Sequence, residues 1–596
     1  MPDVSELVGY IVGATRYLLP LLALWVIARC VRSMLRERYE PETWAYLVDV
    51  NGDRHPVNHW ECIIGRSGSC DVVLDSPSVS RVHASLQRDG NGYWTVSDLR
   101  SKGGTFINGE AAEVLDPVYD GDVLEFAGEE LVFQAVTRDE REWLELRRTA
   151  PGRFVGPGVT LLILTLFQAF LTLEFTITVD EEHLIPVCLG FLALIVLEWF
   201  CFLVMKSVRR TGFEPETIAF FLSTLGMEVC ASSTPDDMFR QVIFLVVGVA
   251  LFFFFGWWLR DLRRVKAVRW LAALAAMGLL GITVVLGEVR GGSGSWLNFG
   301  GITVQPSELV KVLYIYTGAA TLDRLFVKRN LFAFIVFAAI CVCALALMGD
   351  FGTALIFFAT FLVIAFMRSG SFATIFLAVG GAAMAGFLVL SVKPYVAQRF
   401  MTWGHAWDDV WGSGYQQTHA MSAAASGGLF GRGAGEGSLV NITAADTDMV
   451  FAVLSEELGL IVAVFALLAV IFLALFVVRN AARGRSTFYV IAGCAAISMM
   501  MVQVALNVFG SLDILPFTGV TFPFVSKGGT SLVSCWMLLA YIKATDTRRD
   551  ASFVVTRDPK TPDEYEEYDE DEAGESDDEP AAAPAPEGST GKEGAV

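Results

Sequence analysis

Apolar runs of about 20 residues recur along the whole chain, and each is long enough to cross the roughly 30 Å hydrocarbon core of a bilayer. Hydrocarbon offers no water to backbone N–H and C=O groups, so such runs must become helices. The first spans about Leu7 to Val31. The others lie at about 155–176, 184–205, 213–232, 239–258, 267–287, 308–325, 331–348, 352–368, 373–391, 449–478, 487–509 and 529–545. With 54% hydrophobic residues among 596, the pattern predicts a polytopic α-helical membrane protein of about 13 spans.

Basic residues set its sidedness. Arg29, Arg32, Arg36 and Arg38 follow the first run, which lacks a basic leader and reads as a signal anchor. Later clusters fall on alternate connections, among them Lys206 to Arg210, Arg260 to Arg269, Arg479 to Arg485 and Lys543 to Arg549. These connections, the segment after the anchor and the C-terminal tail are expected in the cytoplasm. The net charge of −20 comes largely from the insert and from Pro562 to Glu579. That balance excludes nucleic acid as a partner. The tail from 549 to 596, rich in Pro, Ala and acids, is expected to be disordered. The ten cysteines form no CxxC pair and the six histidines have no ligand spacing, so no disulfide framework or zinc site is implied.

Between the anchor and the second run, residues 41–138 alternate apolar and polar side chains, as in "YWTVSDL" and "DVLEFAGEELVFQAV", with Gly and Asn-Gly at the turns. This predicts a small β-sandwich. Its order "GRSGS…SRVHASL…KGGTFING" resembles a forkhead-associated (FHA) domain. The resemblance implies that Arg66, Ser80 and Arg81 hold a phosphothreonine and that His83 buttresses the loop. Gly103 stands where the family often carries an Asn that contacts the peptide backbone. The tail contains "KTPDEYEE", in which a phosphorylated Thr561 would be followed by acids; a solvated acidic tail is the plainer reading.

Polar residues gather where the spans meet the outer face. They are Gln305, Ser307, Glu308 and Lys311; Asp350; Arg399; Gln416 and Gln417; Asp448, Glu456 and Glu457; Gln503 and Asn507; and Lys527. A carboxylate in hydrocarbon is costly, so these groups predict a polar, outward-opening cavity suited to a charged or sugar-like head on a lipid tail. Asp448 could instead cap a helix, with Asp446 as its rival, and Glu456 and Glu457 could be packing contacts.

"VQPSEL", "GDFGTA", "GYQ" before "SGGLFGRGAG", "TDMVFAVLSEELG" and "PFTGVTFPFVSKGGTS" occur in an order that resembles the SEDS family of FtsW, RodA and SpoVE. The resemblance implies a ten-span core over 213–548, with residues 1–40 an added anchor, 41–138 the FHA insert and 139–212 two added helices. It implies polymerisation of lipid II at the outer face of the bacterial cytoplasmic membrane, beside a class B penicillin-binding transpeptidase. It assigns Asp448 the essential role. The chain departs from the family at Gly294 and Ser295 in "GSGSW", at Gly349 before Asp350, and in the lead-in "ITAADTD". A carboxylate in hydrogen-bond reach of a sugar hydroxyl can act as general base. Arg399, Arg432 and Lys527 could then receive the departing pyrophosphate, and a divalent cation, Mg2+ or Mn2+, could assist. The FHA resemblance adds a phosphorylated protein and its Ser/Thr kinase as partners. A lipid transporter or a scaffold are the alternatives.

Overall fold

The computed structural model describes residues 4–36, 41–90, 92–148, 155–290, 293–299, 302–322, 328–369, 372–392, 394–548 and 551–553. The acidic tail and Thr561 lie outside the described residues.

The β-sandwich has two antiparallel layers. One sheet runs in the order β2 (Arg54–Val57), β1 (Ala45–Asp49), β11 (Glu129–Ala135), β10 (Val123–Phe126), β7 (Thr105–Ile107), β8 (Glu110–Ala111). The other runs β4 (Val72–Val73), β3 (Glu61–Gly65), β5 (Ala84–Arg88), β6 (Trp94–Asp98), β9 (Val114–Val118), with only β3 and β4 parallel. Alternation along each strand buries Leu47, Cys62, Ile64, Leu86, Val96 and Phe133 between the layers. Trp94 meets Phe133 edge-on, 5.3 Å between ring centres. Asn108 and Gly109, both at positive φ, make the tight β7–β8 turn that Asn-Gly favours.

Helices dominate the rest: α1 (Val4–Arg36), α2 (Arg138–Arg148), α3 (Pro157–Thr178), α4 (Glu181–Ser207), α5 (Glu214–Ser233), α6 (Met238–Trp258), α7 (Leu262–Leu286), α8 (Pro306–Leu322), α9 (Lys328–Leu347), α10 (Phe351–Ser369), α11 (Phe372–Val392), α12 (Pro394–Thr402), α13 (Tyr415–Gly427), α14 (Ala445–Asp448), α15 (Val450–Glu457), α16 (Leu460–Ala481), α17 (Thr487–Ser511) and α18 (Gly529–Ala544). Among the described residues, eight helices are long and apolar enough to cross a membrane, and three shorter apolar helices accompany them. The expected spans at 213–232 and 308–325 are also helical, as α5 and α8, but carry buried charges.

Two local outcomes differ from expectation. The run 449–478 is not one helix: α15 ends at Glu457 and α16 begins at Leu460, with Gly459 between them at φ +91°. Apolarity identifies burial here but not continuity, because a left-handed glycine breaks the helix without a polar residue. Second, the connection after α7 folds into a three-stranded sheet, β12 (Glu288–Arg290), β13 (Ser293–Phe299) and β14 (Ile302–Val304).

α5 is buried along nearly its whole length, walled by α3, α4, α16 and α18. The sandwich docks on one end of the bundle. Trp60 N–H donates to the Arg485 carbonyl at 2.7 Å, and Glu61 accepts from the Ser486 hydroxyl and the Thr487 N–H, both at 2.8 Å. Arg485 grips Glu42 at 2.7 Å and donates to the Ser552 hydroxyl at 3.0 Å. Ala551 and Ser552 are buried.

Candidate active site

A cavity of 1490 Å³ opens at the end of the bundle opposite the sandwich. The polar part of its wall includes Gln305, Glu308, Lys311, Asp350, Arg399, Asp446, Asp448 and Lys527. An apolar cleft continues it between α9, α10 and α11, lined by Ala338, Val342, Phe358, Leu377, Ala378 and Leu390. Charge and hydrocarbon-like surface thus share one space.

Asp448 is positioned by two loops. Its own turn starts at Ala444, held left-handed at φ 64°, whose carbonyl accepts from the Asp448 N–H at 2.9 Å. Asn507 donates to the Asp448 carbonyl at 3.1 Å and to the Val520 carbonyl at 2.8 Å, joining that turn to the 518–527 loop. Lys527 N–H closes the same junction on the Asp446 carbonyl at 2.9 Å. Gly519, at φ +66°, faces the carboxylate: a methyl group there would sit 3.0 Å from Asp448 Oδ2. Asp448 lies in the connection ahead of the membrane-spanning helix. Desolvation raises its pKa to about 6 against the opposing pull of Thr447 and Arg399. Such a group is ionised near neutrality yet basic enough to take a proton.

Two cations line the same cavity. Arg399, on α12, is exposed and donates to the Thr518 carbonyl at 3.4 Å. Lys527 lies 2.8 Å from Asp237 and 3.6 Å from Asp446. On the far wall, Gln305 donates to Asp350 at 3.3 Å, and Asp350 caps the start of α10 through the Thr353 N–H at 3.1 Å. Lys311 pairs with Glu308 at 2.7 Å, and the Ser534 hydroxyl satisfies the second carboxylate oxygen at 3.0 Å.

Other expected site residues stand behind the wall. Gln503 and Asn507 are buried supports. Ser307 is buried, with its hydroxyl unpartnered. Gln416 donates to the Thr443 carbonyl at 2.9 Å, and Gln417 is buried. Glu456 accepts from Arg432 at 3.2 Å, from the Ser438 hydroxyl at 2.8 Å and from the Leu439 N–H at 2.9 Å. Glu457 accepts from Ser232 and from the Gly435 N–H at 2.7 Å. Both acids pin the glycine-rich loop at 427–439, and neither lines the cavity. Arg432 is engaged with Glu456 and does not line it either.

The anchor helix α1 and the first of the two following helices, α3, brace the same loop. Glu174 of α3 accepts from Thr15 of α1 and from the Ala434 N–H at 3.0 Å. Tyr17 of α1 packs on Phe430, 4.9 Å between ring centres. Sequence reasoning missed Asp237 and Arg240, both on the cavity wall. "PDDMFRQ" at the lip of a span was the available signal. Among the described residues no three His, Cys, Asp or Glu side chains converge as a metal cage.

In the sandwich, Ser80 and Arg81 come beside Arg66: Arg66 N–H donates to the Ser80 carbonyl at 3.0 Å and Ser67 N–H to the Arg81 carbonyl at 3.0 Å. His83 is fully buried. Its ring contacts the Ser80 N–H at 3.1 Å and the Gly104 carbonyl at 2.9 Å, which is the expected buttress. The Ser80 hydroxyl accepts from the Lys102 N–H at 3.0 Å, leaving its own proton to donate.

The sequence profile of the FtsW/RodA/SpoVE cell cycle proteins matches residues 218–550. The chain belongs to the FtsW/RodA/SpoVE family. It also carries an FHA domain, matched over residues 62–127. The stage V sporulation protein E of Bacillus subtilis is 31% identical over 54% of this chain and 94% of its own length. A probable peptidoglycan glycosyltransferase FtsW of Tolumonas auensis is 31% identical over 57% and 94%. Among solved structures, a chain of a peptidoglycan synthase complex aligns with 56% of this chain and 98% of its own at 24% identity, with a TM-score of 0.49. This FtsW/RodA/SpoVE protein is therefore a multi-pass membrane protein with an FHA domain inserted after its first helix.

Proposed function

We propose that this protein is a peptidoglycan glycosyltransferase that polymerises lipid II at the outer face of the cytoplasmic membrane, for cell division or cell shape. The observation that carries the reading is Asp448, its pKa raised to about 6, at the junction of a cationic mouth and an apolar cleft. The acceptor's sugar hydroxyl gives its proton to Asp448 as its oxygen attacks the anomeric carbon of the growing chain. The bond from that carbon to the lipid pyrophosphate breaks, and Arg399 and Lys527 receive the charge the leaving group gains. One displacement inverts the anomeric carbon. The cleft lined by Val342, Leu377 and Leu390 suits the polyprenyl tail. A divalent cation, if used, would take most of its ligands from the pyrophosphate, and no step here depends on it.

On this reading the cavity faces outward, and the FHA domain and tail are cytoplasmic. Arg66, Ser80 and Arg81 read a phosphothreonine on a kinase substrate, and a class B penicillin-binding transpeptidase cross-links the product. The test is a gel of labelled lipid II products. Wild type should yield ladders and Asp448→Asn should not. Lipid scrambling without ladders would mark a transporter. Neither activity, with partners still recruited, would mark a scaffold.

A further inference from the structure

The docked root of the tail and the phosphopeptide loops are both unused by the polymerase chemistry, and one strand joins them. Ser552 shares Arg485 with Glu42, and the Arg485 carbonyl holds Trp60, the residue before β3. β3 then runs from Glu61 to Gly65, about 13 Å at 3.3 Å per residue, and delivers Arg66 at its far end. Ser552 thus sits at the foot of the strand whose top carries the reader. Thr561 lies nine residues beyond Ser552, which allows a reach of up to about 30 Å.

The chemistry matches the reach. Arg66, Arg81 and Lys102 are exposed cations around Ser80. Thr561 precedes Pro562, which biases it to extended backbone, and four acids follow within six residues. Gly103 adds a reason for tethering. A side chain there would collide with Ala127, so the peptide-gripping Asn of relatives has no room and that contact is missing. A short tether supplies an effective concentration of order millimolar, enough to fill a site that lacks one contact.

We propose that Thr561, once phosphorylated, occupies the FHA domain of its own chain and so excludes phosphoproteins in trans. The proposal rests on reading Arg66 and Ser80 as a phosphothreonine site. A Ser/Thr kinase transfers the γ-phosphoryl of ATP to Thr561 Oγ; the hydroxyl proton is released and ADP leaves. The phosphate then accepts from the Arg66 guanidinium and the Ser80 hydroxyl.

The test uses the full-length protein in detergent and a fluorescent peptide of residues 556–569 phosphorylated at Thr561. Protein with an unmodified tail should bind the peptide, and Arg66→Ala should abolish binding. Protein carrying phosphothreonine at 561 should bind it at least about tenfold more weakly while staying monomeric, and phosphatase should restore binding. Equal binding by both forms overturns the proposal. Dimers that form only on phosphorylation also overturn it, in favour of a second copy as the occupant. If neither form binds this peptide or a phosphothreonine peptide library, the phosphothreonine reading itself falls, and the proposal with it.

Discussion

At Asp448 the side chain's value lies in being both ionised and basic. Its pKa of about 6 fixes the sign of the pH dependence. The ionised carboxylate accepts the proton, so polymerisation should fall about tenfold per pH unit below 6 and level off above it. Initial rates of glycan synthesis from pH 4.5 to 8 check this, and a profile flat through 6 would remove Asp448 as the base. Asp448→Asn should lose roughly 10²–10⁴ in kcat while the melting temperature stays near wild type. A neighbour gives an independent check. At Gly519 an added methyl group would meet Oδ2 at 3.0 Å in a backbone conformation that disfavours a side chain. Gly519→Ala should therefore lower kcat more than it raises KM, measured by steady-state polymerisation.

At the level of elements, the helices were legible because hydropathy reports burial directly. The break between α15 and α16 was not, since Gly459 sits inside an unbroken apolar run and only its φ of +91° reveals the turn. Glu456 and Glu457 read as pocket support because they follow Asp448 within one apolar run; their carboxylates are instead taken up by the 427–439 loop. Asp237 escaped notice because an acid at a span's lip is ordinary, and only folding brings Lys527 within 2.8 Å of it. Gly459→Ala should cost about 1–3 kcal/mol of stability, as a left-handed position lost to a β-carbon that also crowds the Leu429 carbonyl. Thermal unfolding in detergent would register this as a lower midpoint; an unchanged midpoint would mean the break is not strained by a side chain.

Across the whole molecule, the β-sandwich and its FHA motifs followed from short stretches of sequence, but its seat on the bundle did not, because docking depends on single residues such as Glu61 and Arg485 in otherwise unremarked loops. Arg485→Ala would remove a poorly exposed ion pair with Glu42, a loss of up to about 3–5 kcal/mol at that junction. Limited proteolysis should then cut between the sandwich and the bundle faster than in wild type, with the polymerising end unaffected. Equal cleavage rates would mean that Glu61 and Trp60 hold the joint alone.

The brace that Thr15, Tyr17 and Glu174 form behind Phe430 and Ala434 has a practical corollary. Trimming this protein to its family-sized portion would remove the scaffolding of the loop that leads into the reactive turn, so a minimal polymerase made from residue 213 onward should be a sluggish one. Whoever wishes to detach the signalling module would do better to excise the sandwich alone and leave the first and third helices in place.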